Sequence, residues 1–245
     1  MTTTTPPALG TNEADEQRTR VRTARITGLL YLGLGVTGML GFLAIRSQLF
    51  VPDDAAATLA NLNAHSVLTR FGVALEMGAV IAQTLTAVWF YRLFRTMSPF
   101  AAAALAVFGL MNAVAIMGSA TLLATAASVA ADPGSAIAGD PAGTVQLSYV
   151  IADHFWSAGT PFFGLWLIPM GHLVLTSGWL PAPLGWTLLV GGAGYLLSAF
   201  VAYLLPGAGT LAGLLTVPAT VGEFWTLGYL IAVGVRRTPA ARKEV

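Results

Sequence analysis

Among the ionisable side chains within or at the edges of the long apolar stretches of this 245-residue chain, six could do chemistry together: Arg46, Arg70, Glu76, Asp153, His154 and Glu223. A charge in hydrocarbon is costly unless it is paired, hydrated or neutralised, and such groups mark ligand and proton paths more often than chance. Carboxylates facing one or two guanidiniums suit three kinds of chemistry. They can line an outward-facing polar pocket that binds or transports a small polar or cationic ligand, with proton coupling as an option. They can supply an acid and a base to a membrane enzyme acting on a lipid-linked substrate, with Asp153, His154 or Glu76 in those roles. They can also hold helices together in a non-catalytic accessory subunit of a membrane complex. The pocket and the accessory subunit are favoured over the enzyme.

The neighbours of each acid argue that it turns inward. At i−7, i−4, i+3 and i+7 from Glu76 stand Thr69, Gly72, Ala79 and Gln83, a small and polar stripe opposite the bulky apolar positions. Glu223 has Thr216, Ala219, Thr220 and Thr226 at comparable offsets, with Pro218 removing a backbone donor just before it. Asp153 is followed at i+4 and i+7 by Ser157 and Thr160, and Asn112 and Ser119 share a helical face. The three acids are expected in helices running in the same direction and at outer to middle depth, where one pocket can collect them. Arg46, Arg70 and His154 are the basic partners at that level.

The elements that must position these groups follow from composition. With 56% hydrophobic and 9% charged residues and a mean hydropathy of +0.73, the chain is a polytopic membrane protein in contact with lipid. A net charge of +1 leaves no basic face for nucleic acid. The absence of cysteine excludes disulfides, thiolate nucleophiles and iron–sulfur clusters. Lys243 is the only lysine among 12 basic residues, which rules out a lysine nucleophile within the fold. No cofactor motif stands in a fitting context: Gly33, Gly35 and Gly38 spell G-x-G-x-x-G inside an apolar run with no preceding strand, where close helix packing explains them better, as it does Gly191, Gly192 and Gly194. No metal site is expected, because His154 and His172 are about 27 Å apart on one helix and no H-x-x-x-H or E-x-x-H spacing occurs.

A hydrocarbon core about 30 Å thick needs about 20 helical residues. Six runs qualify: 26–45, 71–91, 100–128, 147–175, 184–205 and 211–235. The fold expected is therefore an all-α, six-transmembrane-helix bundle. Residues 1–23 are expected to form a disordered tail, 24–237 a single membrane domain and 238–245 a second tail. Arginines cluster before the first span, after the second and after the sixth, so both termini are expected in the cytoplasm. Arg70 and Arg92 bracket the second span by about 33 Å, which puts Glu76 about 9 Å inside the outer boundary. The longest outer connection, with Pro52, Asp53 and Asp54 before an Ala- and Leu-rich run, predicts a short N-capped interfacial helix.

Several segments together resemble a known family. They are Arg25-Ile26-Thr27-Gly28-Leu29-Leu30-Tyr31-Leu32, Val51-Pro52-Asp53-Asp54-Ala55-Ala56-Ala57-Thr58, Arg70 at the head of the second span, and Gly222-Glu223. The chain is similar over residues 24–236 to the bacterial membrane family catalogued as domain of unknown function 4386. That resemblance implies six helices and a multi-pass place in the bacterial plasma (inner) membrane, and it implies no activity.

Overall fold

The computed structural model describes residues 9–205 and 207–236, with side chains from Glu13 onward. Every regular element among them is helical: α1 (Leu9–Gly38), a π-helical segment (Met39–Ile45), α2 (Arg46–Leu49), α3 (Ala55–Ala64), α4 (Ser66–Phe94), α5 (Pro99–Ala131), α6 (Pro141–Ser177), α7 (Ala182–Leu204) and α8 (Gly209–Ala232), with two single 3₁₀ turns between α5 and α6. Six helical stretches are long and apolar enough to cross a membrane, one for each run predicted from the sequence.

Local chemistry sets the boundaries. The Asp54 carboxylate accepts the Ala57 N–H at 2.8 Å and starts α3, the interfacial helix expected after Pro52. Ser98 and Asp140 cap α5 and α6 in the same way, each followed by a proline whose missing N–H is not needed in a first turn. Gly178, at φ +64°, ends α6 in the left-handed conformation that a side chain would resist.

The helices form a ring in chain order. Each of α5 to α7 packs between its sequence neighbours, α4 packs between α1 and α5, and α1 closes the ring against both α4 and α8. Residues 17–20, 179 and 235–236 meet at one end: Gln17 Nε2 donates to the Val235 carbonyl, Arg20 lies over Trp179, and the Arg236 N–H donates to the Trp179 carbonyl. The α3 helix covers the opposite end. An apolar core near the terminal end contains Tyr31, Phe90, Phe94, Trp166 and Trp179, and a second core near α3 contains Ile45, Leu49, Leu62, Leu123 and Tyr149.

Two expectations need correction. Residues 9–23, expected in a disordered tail, continue α1 as helix. The Gln17 and Arg20 contacts tie this segment to the chain's other end, and Arg20 pairs with Glu16 one turn away at 3.2 Å. Residues 1–8 and the 238–245 tail lie outside the described residues. The glycines of the G-x-G-x-x-G run do not mediate close packing: a Cβ added at Gly35 or Gly38 meets nothing within 4 Å, and one at Gly33 meets only Ala82 at 4.0 Å. Gly191, Gly192 and Gly194 do serve that purpose, lying against Ala219, the Gly164 carbonyl and the Leu215 carbonyl.

Candidate functional site

Arg46 is the first residue after the π segment, and its own N–H reaches back five residues to the Gly41 carbonyl. Such wide turns often accompany functional positions. Its side chain is 6% exposed and reaches across the ring to α6. There Nη2 lies 2.9 Å from Asp153 Oδ1 and donates at 2.9 Å to the Tyr149 carbonyl. Nη1 stands 4.0 Å from Glu76 Oε1. The guanidinium also lies over the rings of Phe42 and Tyr149, 5.4 and 5.6 Å from their centroids. One cation thus faces two acids, and the formal charge of the centre is −1.

This centre is closed towards α3. Phe50 stacks on Tyr149 at 5.2 Å, buried Leu62 of α3 belongs to the same core, and the cavity beside Arg46 measures about 10 Å³, room for one water at most. Its opening is Asp153, whose side chain is 42% exposed while those of Arg46 and Glu76 are buried. Beneath the ion pairs Ser119 and Trp156 turn their polar groups towards Glu76, and Gln83 Nε2 and both side-chain atoms of Asn112 have no hydrogen-bond partner among the described residues. The close approach of Gly109 to Ala87 fixes the α4–α5 register, setting Glu76 level with Ser119 and Gln83 level with Asn112. The two polar layers are about 10 Å apart, seven residues along each helix.

Glu223 belongs to a different centre. Its Oε1 accepts a hydrogen bond from the Tyr31 hydroxyl at 2.5 Å, and Tyr31 precedes Arg46 by fifteen residues, roughly 20 Å along α1. Tyr31 is held edge-on by Phe90 and Trp166, and Tyr195 stands close enough to Glu223 to feel its charge. A file of partly exposed aromatic rings joins the two centres. Phe42 lies 5.6 Å from Trp156, Trp156 stacks on Phe163 at 6.2 Å, and Phe163 stacks on Tyr195 at 6.0 Å.

The six candidates therefore divide. Arg46, Glu76 and Asp153 meet; Glu223 sits at the far end of the aromatic file; Arg70 and His154 are exposed on the outside of their helices and carry no ion pair among the described residues. His154 follows Asp153 directly, so the helix turns it about 100° away from the Arg46 centre.

A family model described as Domain of unknown function (DUF4386) matches residues 26–234. The chain belongs to this family. No curated protein and no solved structure matches it. The DUF4386 match spans both acid centres and every ring between them. Sequence reasoning found the DUF4386 chain's acids and missed Tyr31, Phe42, Trp156, Phe163 and Tyr195. Phe163 does follow Trp156 by seven residues on one helical face, a signal available in the sequence. The pairing of Tyr31 with Glu223 joins positions 192 residues apart and had none.

That pair permits a direct check. Tyr31→Phe removes the hydroxyl and leaves the Glu223 oxygen without its donor, so stability should fall by about 1–3 kcal/mol. Thermal unfolding of the purified protein in detergent measures it, and an unchanged midpoint would show that water replaces the hydroxyl.

Proposed function

We propose that this protein binds an organic cation with an apolar body and carries it along the aromatic file between the Asp153 and Glu223 centres. The observation that supports this is the file itself: Phe42, already under the Arg46 guanidinium, leads to Trp156, Phe163 and Tyr195, partly exposed rings in series with a carboxylate at each end. Ring faces attract cations, more strongly where water is excluded, and a partly open carboxylate supplies the counter-charge. The −1 charge of the Arg46 centre has the same consequence. With two acids to one guanidinium, one of those acids buried, the centre favours one more positive charge, either a proton or the ligand. Exchange of the one for the other is the elementary step of proton-coupled transport. The partial exposure of Asp153 suits a ligand that reaches the centre from outside the bundle.

The clustering of arginines at the terminal end supports cytoplasmic termini by the retention of basic loops, and the family resemblance supports a bacterial plasma membrane. A single membrane domain within 24–237 accords with the closed ring.

Tetraphenylphosphonium is a suitable probe. It should quench tryptophan fluorescence of the purified protein through Trp156, and Asp153→Asn and Glu223→Gln should each weaken the response by at least about tenfold, the value of roughly 1.4 kcal/mol per lost charge contact. Full-strength quenching in both variants would remove the acids from the mechanism. No response in the wild-type protein would move the accessory-subunit reading into first place, with the Arg46 ion pairs as helix staples. That reading draws on the tight closure of the Arg46 centre.

A further inference from the structure

The terminal end carries two grooves of nearly equal size and opposite character. One, about 640 Å³, combines Arg20, Arg92 and Arg95 with Asp15 and Glu16, so its charges largely cancel. The other, about 680 Å³, runs along α1 and is walled by Val235, which Gln17 holds in place through its side-chain amide. Arg18, Arg22 and Arg25 line this second groove, with no acid among the described residues that line it. Arg22 and Arg25 are exposed and have no ion pair among the described residues; Arg18 makes one loose contact with exposed Asp15 at 3.9 Å.

The three arginines continue into an apolar stripe on the same face. At the next spacings of three and four residues come Leu29, Leu32 and Val36, all exposed, with Ile26 beside Leu29 on the groove floor. From Arg25 to Val36 the helix rises about 16 Å, close to one leaflet of a hydrocarbon core about 30 Å thick. A cationic groove opening onto one leaflet's length of exposed apolar helix face matches one chemistry, a phosphodiester headgroup with its acyl chain below it. We infer that the α1 groove is a binding site for an anionic phospholipid, seated by Arg18, Arg22 and Arg25. It differs from general attraction to a charged surface in that the 640 Å³ groove, with as many arginines at the same end, has two acids that offset most of their charge and lacks the apolar track. The inference is independent of any ligand in the aromatic file.

The test is native mass spectrometry of the full-length protein released from detergent in the presence of equal amounts of phosphatidylglycerol and phosphatidylcholine. Wild-type protein should retain phosphatidylglycerol preferentially. Arg18→Gln, Arg22→Gln and Arg25→Gln combined should reduce that preference by at least about tenfold, given that each arginine near an anionic surface contributes about fivefold. Arg92→Gln with Arg95→Gln should leave it unchanged. Matched thermal unfolding confirms that both variants fold, and Arg22→Gln alone provides a milder version. Equal loss in both multiple variants, or retention in the triple variant, would overturn the site. Displacement of the lipid by millimolar inorganic phosphate would also overturn it, because the acyl track would then contribute nothing.

Discussion

Replacing Arg46 by leucine should destabilise the fold by about 3–5 kcal/mol, the loss expected when one partner of a buried ion pair is removed and the others stay charged. Two carboxylates and the Tyr149 carbonyl depend on this guanidinium. The partial exposure of Asp153 lets lipid headgroups or water relieve some of the strain, which places the expectation near the lower bound. Arg46→Lys should recover only part of the loss, since an ammonium cannot reach Asp153, Glu76 and the carbonyl in the same forked geometry or lie flat over Phe42 and Tyr149. The informative variant combines Arg46→Met with Glu76→Gln and Asp153→Asn. If the ion pairs are a staple, neutralising all three should restore most of the stability and spare any function. If they are a cation-exchange centre, the triple variant should fold and yet fail to respond to tetraphenylphosphonium. Thermal unfolding and tryptophan quenching on wild-type protein and these three variants separate the two outcomes.

How far the sequence anticipates this arrangement depends on distance along the chain. The six membrane helices, the α3 cap at Asp54 and the inward stripe of Thr69, Gly72, Glu76, Ala79 and Gln83 are all legible, because each is set by neighbours within two helical turns; all five stripe residues are buried. Asn112 and Ser119 are buried as their shared face predicts. The partition of the acids was not legible. The sequence puts Glu76, Asp153 and Glu223 at outer to middle depth in parallel helices, and that count neither separates Glu223, which sits with Tyr31 roughly 20 Å from Arg46, nor says which neighbour each helix takes in the ring. The ring order sets α6 across from the end of α1, so that Asp153 meets Arg46, while α8 lies beside α1 and Glu223 meets Tyr31. The π segment was equally hidden. Its sequence, Met39 to Ile45, contains no proline and differs little from ordinary span residues. Along it Gly41 lies against Leu75 and Ile45 against Gly72 of α4, contacts far off in the sequence. The glycine run near Gly33 misled for a related reason: composition reveals how close a helix can be approached, and only the fold shows whether anything approaches it.

The glycines of α7 give the second large effect. In a membrane, helices gain nothing from hiding apolar surface from lipid, so small residues that let backbones touch supply much of the association. Here α7 is pressed between α6 and α8. A Cβ at Gly192 would stand 2.8 Å from the Gly164 carbonyl oxygen, and one at Gly164 would stand 2.7 Å from the Gly192 oxygen, so the α6–α7 contact is reciprocal. On the other side a Cβ at Gly191 would stand 2.6 Å from the Ala219 backbone nitrogen. These obstacles are backbone atoms, which cannot rotate aside as the tip of a side chain can. Gly191→Leu should therefore exceed the roughly 1–3 kcal/mol that overpacking costs in a core free to shift. It should also act on the site, because forcing α8 away from α7 draws Glu223 from Tyr31 and Tyr195 while leaving the Arg46 centre, built from the π-segment end of α1, α4 and α6, in place. Gly213→Leu is the control. It lies on α8 with nothing within 4 Å of its added Cβ, and it exchanges a poor helix former for a good one, so its unfolding midpoint should be unchanged or slightly raised. A large fall in midpoint for Gly191→Leu against no fall for Gly213→Leu would establish that the α7–α8 seam holds the Glu223 end of the aromatic file. Equal midpoints would mean that α8 is free to move relative to α7, and the Tyr31–Glu223 hydrogen bond would then have to carry that end alone.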